Sequence, residues 1–188
     1  MILTLDSIQA AYKALGYPWN PVFNVFGVRS AERGNEWNDL AGYALKGPEG
    51  EWEFKPFEAT TDPGFLKHGD AIPEGTAVMK SGFYKGLYAQ GFHQGKKDHP
   101  CLKQVKPATY YRVKGGKMFD PTTVFSGIIG TNIHSTKEGF LPDEVDNWSK
   151  GCQVIRRWES HKKLLAAADA SLLKAFDYAL FTQKEVEG

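Results

Sequence analysis

The chain has 188 residues, 41% apolar and 24% charged, with 23 basic against 22 acidic side chains. A length like this suits one domain, 1–188, that buries roughly 70% of its unfolded surface and needs no metal staple or disulfide framework, and Cys101 and Cys152 are the only thiols. A formal charge of +1, basic runs no denser than Lys96-Lys97 and Lys162-Lys163, and no stretch near the roughly 20 apolar residues of a membrane helix exclude nucleic acid as an expected partner and membrane insertion as an expected fate.

In chain order, Asp6 is placed to cap a short helix whose apolar face is Ile8, Ala11, Tyr12 and Leu15, with Gly16 at the C′ position and Pro18 beyond. The middle of the chain reads as β. Predicted strands cover residues 22–29, 51–58, 76–80, 82–89, 109–113, 127–134 and 152–157. Turn signals separate them at Gly47-Pro48-Glu49-Gly50, Asp62-Pro63-Gly64, Pro73-Glu74-Gly75 and Gly115-Gly116. From 159 to 181, Leu164, Leu165, Ala168, Leu172, Leu173, Phe176 and Leu180 recur at intervals of three and four, which predicts a longer C-terminal helix packed on the sheet. That helix is either kinked or broken near Ala168-Asp169-Ala170, with Ser171 capping a second piece. The first six residues lack a basic n-region, so the expectation is a chain synthesised in the cytoplasm without a Sec signal peptide.

An acyl-transfer or hydrolytic site needs a nucleophile, a base within reach, and donors for the oxyanion. One segment offers all three. Gly130-Thr131-Asn132-Ile133-His134 reads as a strand ending at a histidine, and Asn147-Trp148-Ser149-Lys150-Gly151-Cys152-Gln153-Val154-Ile155 reads as a sharp turn that delivers a cysteine to the next strand. Gly151 permits the tight turn, and an imidazole beside Cys152 is expected to lower the thiol pKa. The histidine precedes the cysteine by 18 positions, an order opposite to that of papain-like and NlpC/P60-like peptidases.

Other candidates have plainer readings. Cys101, in His99-Pro100-Cys101, reads as a structural thiol. His68-Gly69-Asp70 is a partial zinc pattern, but neither HExxH nor ExxH accompanies it, so a turn is expected. His93, between Gly91 and Gly95, is either a loop imidazole or a substrate contact. His161 reads as a solvated residue at a helix start, and Arg29 and Asp62 as an ion pair or turn cap. The five tryptophans read as core, with Trp148 also placed to wall a pocket.

His134, fourteen intervening residues, and then Ser149-Lys150-Gly151-Cys152 resemble the signature of the L,D-transpeptidase (YkuD) family, in which a His is followed after a similar spacer by Ser/Thr-His-Gly-Cys. With Gly27-Val28-Arg29 and 59–64 upstream, the pattern is similar to a divergent branch common among phage-associated proteins. Lys150 stands where the family has His, and Val154 where it usually has Arg or Asn; Arg156 or Arg157 is the expected substitute anchor.

The resemblance implies a mainly β fold, a β-sandwich of the L,D-transpeptidase type with a short N-terminal and a longer C-terminal helix. It implies Cys152 as nucleophile, His134 as base, the Ser149 carbonyl as orienter of the imidazole, and the Gly151 and Cys152 amides as oxyanion donors. Lys150, Trp148, His93 and Arg156 are the expected substrate contacts. No metal or cofactor is expected, and the chain is expected to be a monomer. The implied substrate is the peptidoglycan stem peptide, attacked through a Cys-acyl intermediate; with no export signal, membrane anchor or wall-binding domain read in the sequence, hydrolysis by an L,D-carboxypeptidase or endopeptidase is the expected outcome. The enzyme would act on the cell wall as a holin-released endolysin, a virion-borne hydrolase or an injected effector. The alternatives are an L,D-transpeptidase and a non-catalytic wall-binding or virion component.

Overall fold

Strand β1 (Phe23–Arg29) is buried along all seven residues, because the chain covers both of its faces and both of its edges. In this computed structural model, which describes residues 2–32, 34–64, 75–114, 117–118 and 123–188, β1 pairs antiparallel with β2 (Asp39–Lys46) and parallel with β12 (Phe176–Thr182). The neighbouring strands are β3 (Trp52–Thr60), β5 (Gly82–Phe92), β6 (Pro100–Gln104), β10 (Ile133–Ser135) and β11 (Gln153–Ile155). Together they close a barrel in the order β1-β12-β5-β6-β10-β11-β3-β2. A second sheet joins β4 (Thr76–Met79), β7 (Ala108–Lys114) and β8 (Lys117–Met118), with β9 (Phe125–Gly127) also on β7.

Alternation along the strands divides the core in two. Phe23 and Val25 of β1 join Tyr88, Leu102, Ile133, Ile155, Tyr178 and Leu180 inside the barrel, and helix α2 (Trp158–Ala170) adds Leu164, Ala167 and Ala168. Phe26 and Val28 turn outward, against Ile8, Ala11 and Tyr12 of α1 (Leu5–Ala14) and Val186 of α3 (Gln183–Glu187). Gly27 lies on the inner face, where a Cβ would collide with the Tyr178 hydroxyl. That hydroxyl donates to Gln153 Oε1 at 3.0 Å, beneath the residue that follows Cys152.

The fold is mainly β, but its principal sheet closes on itself as an eight-stranded barrel instead of forming two facing layers. The C-terminal helix is shorter than the periodicity predicts. It stops at Ala170, Ser171 Oγ donates to Ala168 O at 2.7 Å as the helix closes, and Leu172 takes a left-handed φ of 59°. Ser171 thus ends α2 and does not begin a second helix. Residues 176–182 form β12, in which Phe176, Tyr178 and Leu180 point inward while Ala179 and Phe181 meet α1. A spacing of four satisfies a strand as well as a helix, and both faces are apolar because both are covered.

The predicted strand 127–134 separates into β9 and β10, with loop 128–132 between them. Strands β2, β6 and β8, like β12, are additions to the predicted set. The Gly47–Gly50 turn connects β2 to β3, with Gly50 N–H donating to Gly47 O at 3.1 Å. Pro73-Glu74 and Gly115-Gly116 lie outside the described residues. No helix among the described residues is long and apolar enough to cross a membrane.

Candidate active site

Strands β10 and β11 run parallel, with Ile133 opposite Gln153 and His134 opposite Val154. Because side chains alternate, Cys152 shares a face with Val154 and therefore with His134, on the outside of the barrel wall. The last residues of β5 and the strand β6 continue that face, bringing His93 and Lys103 alongside. Ring nitrogens of His93 and His134 and the Sγ of Cys152 lie within 4.8 Å of one another. They line a crevice of about 640 Å³ with Asn132, Trp148 and Lys150. Cys152 and His134 are each 9% exposed, so both are recessed yet open to that crevice.

The turn carrying Cys152 is braced from several directions. Gly151 has φ +111°, and a Cβ there would stand 2.5 Å from the Ala77 carbonyl oxygen, so only glycine suits the position. Thr131 Oγ1 donates to Gly151 O at 2.7 Å, Ser149 Oγ donates to Cys152 O at 2.8 Å, and Gly151 N–H donates back to Ser149 Oγ at 3.3 Å. The Ser149 carbonyl accepts from Gly64 N–H at 2.9 Å, which docks the predicted turn 62–64. These bonds correct two expectations. The carbonyl that orients the imidazole is that of Ser135, which accepts from His134 Nδ1 at 3.0 Å, and Ser149 serves the turn. The Gly151 amide, expected to face an oxyanion, is engaged by Ser149 Oγ.

The two imidazoles are set in opposite ways. A carbonyl can only accept, so His134 carries its proton on Nδ1 and presents a lone pair at Nε2. For His93, Gln104 N–H donates to Asn132 Oδ1 at 2.9 Å, which turns the Asn132 amide nitrogen toward His93 Nδ1 at 3.2 Å. Nδ1 of His93 therefore accepts, and its proton resides on Nε2. A histidine ligates a metal through an unprotonated nitrogen, so of the two rings His134 is the one set to do so, with Cys152 beside it.

Burial decides the charge state. It pushes the Cys152 thiol up to about 11, against a smaller opposing pull from the Asn132 backbone. It pushes His134 down to about 3, and the neighbouring His93 adds to that. The expected lowering of the thiol pKa is thus reversed, since a neutral imidazole supplies no positive charge and desolvation disfavours the thiolate. His93 is also lowered, first by burial and then by His99 and Lys96. Among the described residues, the crevice lining carries Lys103 and Lys150 and no carboxylate.

Trp148 walls the crevice and rests 5.8 Å from the Phe140 ring, centroid to centroid. Lys150 is exposed at the rim. Arg156 lies elsewhere. Its Nε donates to Pro142 O at 3.0 Å and its terminal nitrogens lie 3.7 Å from Glu58 and Asp143, so it ties the 140–143 loop to β3. Val154 is fully buried beside Trp37 and Val145.

His161 is fully buried and not solvated, because the start of α2 packs on β10; its Nδ1 lies 3.3 Å from Ser135 Oγ. Cys101 is sealed in β6, with its thiol pushed up to about 12. Arg29 and Asp62 pair with each other at 2.9 Å, behind the site. His68-Gly69-Asp70 lie outside the described residues.

Sequence reading passed over Gln104 and Ser135 and gave Asn132 and Thr131 no role. Gln104 is the hub of the site's support. Its Nε2 donates to Lys106 O and Gly127 O at 2.9 and 3.1 Å, and its Oε1 accepts from Ile129 and Thr131 N–H at 3.0 and 3.1 Å. Asn132 and Ser135 flank His134 in sequence, the one signal that points to them. Compared with protein-family models, with characterised proteins and with solved structures, the chain matches none.

Proposed function

We propose that this chain is a cysteine-dependent hydrolase of peptidoglycan stem peptides, of the L,D-carboxypeptidase or endopeptidase type, acting on the cell wall as a phage lysis or virion enzyme. The supporting observation is the meeting of Cys152, His134 and His93 within 4.8 Å in an open crevice, with His134 held in the tautomer of a base. The two lysines at the crevice suit a substrate bearing carboxylates, as a stem peptide does.

The resting pair is a neutral thiol and a neutral imidazole. Attack therefore couples two events. Sγ bonds to the amide carbon while His134 Nε2 takes the thiol proton, and the carbonyl π pair moves onto oxygen. Collapse returns that pair, breaks the C–N bond and passes the proton from His134 to the departing amine. Water, deprotonated by His134, then cleaves the thioester and restores the thiol. An amine in place of water would make the enzyme a transpeptidase.

The test is incubation of the purified protein with muropeptides, read by mass. Loss of a terminal D-residue or of a cross-link, abolished by Cys152→Ala and by thiol alkylation but kept by Cys101→Ser and in chelator, supports the hydrolase. Unchanged masses with tight binding to sacculi overturn it in favour of the non-catalytic binder, the reading that the buried Val154 favours.

A further inference from the structure

The candidate site contains a donor that the motif does not supply. Of the two amides expected to hold an oxyanion, that of Gly151 is taken by Ser149 Oγ. Lys150 occupies the place where the related signature has its own imidazole. Into this gap the end of β5 brings His93 from about sixty positions upstream. Its ring lies 4.2 Å from the His134 ring, centroid to centroid, tilted by 32°, with a ring nitrogen within 4.8 Å of Sγ.

We propose that His93 is a second catalytic imidazole, whose Nε2–H donates to the oxygen that becomes negative when Cys152 attacks, and that Asn132 and Gln104 are the positioning residues that hold it in that tautomer. The role rests on the hydrolase reading given above. The donor is neutral before and after the step. The thiol proton goes to His134 Nε2, the S–C bond forms, the π pair settles on oxygen, and His93 stabilises that charge without giving up its proton. Were Asn132 Oδ1 turned toward His93, Nδ1 would take the proton and Nε2 would repel the oxyanion. The Gln104 backbone N–H at 2.9 Å from Oδ1 prevents that turn.

The arrangement also separates labour between two rings that share one face. His134, bonded to Ser135 O, offers a lone pair, while His93, bonded to Asn132 Nδ2, offers a hydrogen. Burial keeps both rings neutral at neutral pH, so each has one proton and the hydrogen-bond partner decides where it sits.

Two measurements on the full chain test the proposal. Nitrogen-15 imidazole spectra, assigned by comparison with His93→Gln, should show His93 protonated on Nε2 and His134 on Nδ1. In parallel, Cys152 is acylated with p-nitrophenyl acetate, a reaction that forms an oxyanion, and alkylated with iodoacetamide, a reaction that does not. His93→Ala should slow acylation about a hundredfold while alkylation changes less than about twofold, and His93→Gln, which keeps an N–H donor, should recover much of the acylation rate. Equal slowing of both reactions, or a His93 proton found on Nδ1, overturns the role of His93 and leaves the nucleophile standing. A wild-type Cys152 that takes neither reagent overturns the hydrolase reading and this role together.

Discussion

His93 and His134 lie face to face at a centroid distance of 4.2 Å and hold their single protons on opposite nitrogens, because Asn132 offers one ring a donor and Ser135 offers the other an acceptor. Neighbouring strands thus give a lone pair and a hydrogen to a single crevice. The chemistry available there is set by neutral groups, and its pH dependence follows.

With the thiol held at about 11 and His134 at about 3, no thiolate–imidazolium pair exists at pH 7. The alkylation rate of Cys152 by iodoacetamide should therefore keep climbing between pH 7 and 10, by about tenfold per unit, as the thiolate fraction grows. A plateau below pH 8 would show a preformed ion pair and contradict the buried neutral arrangement.

Acid should weaken the fold through two buried histidines. Folded pKa values of about 3 for His134 and about 4 for His161 lie below the usual histidine value of 6.5, so unfolding takes up protons once the pH falls beneath that value. Their contribution is complete above about pH 6.5 and is lost as the pH drops toward 4 and then 3. Urea midpoints should fall steadily over this interval. His161→Leu should flatten the decline, since His161 is fully buried and its Nε2 has no hydrogen-bond partner among the described residues.

Gly151→Ala should cost about 2–3 kcal/mol or more, because it combines a left-handed φ of 111° with a Cβ 2.5 Å from the Ala77 carbonyl. The expected readout is a lower melting temperature together with a changed alkylation rate at Cys152, since the turn that carries the sulfur must shift. Gly139→Ala, whose φ is also positive but whose Cβ would meet nothing within 4 Å, should cost less.

Gln104→Ala removes four hydrogen bonds, three of them to Gly127, Ile129 and Thr131 on the approach to His134 and one to Lys106 O. At roughly 0.5–1.5 kcal/mol each, the loss should be about 2–6 kcal/mol. Amide exchange at Ile129 and Thr131 should accelerate beyond the global change, whereas exchange in β1 should follow global stability alone. Uniform acceleration across the chain would show that the loop has no local dependence on Gln104.

The meeting of His134 with Cys152 was legible because a strand-ending histidine and a Gly-Cys turn are local patterns. Their supports were not. Gln104 and Asn132 are 28 positions apart and interact only because β6 and β10 are neighbours in the barrel, a relation that periodicity does not encode. His93 could be named from sequence as a loop imidazole or a substrate contact, but its stacking on His134 beside Cys152 emerges only when β5, β6 and β10 are laid side by side. The mainly β character followed from glycine, proline and aromatic spacing, but closure into a barrel depended on β12, whose residues Phe176 and Leu180 fit a helical stripe equally well.

β12 seals the wall by lying between β1 and β5, so Val25 waits for Tyr178 before its second edge is covered. During synthesis one edge of β1 therefore keeps bare amides until residues 176–182 have emerged from the ribosome. The barrel is consequently expected to close only after β12 is available, and products truncated before residue 176 should be sticky, protease-sensitive material.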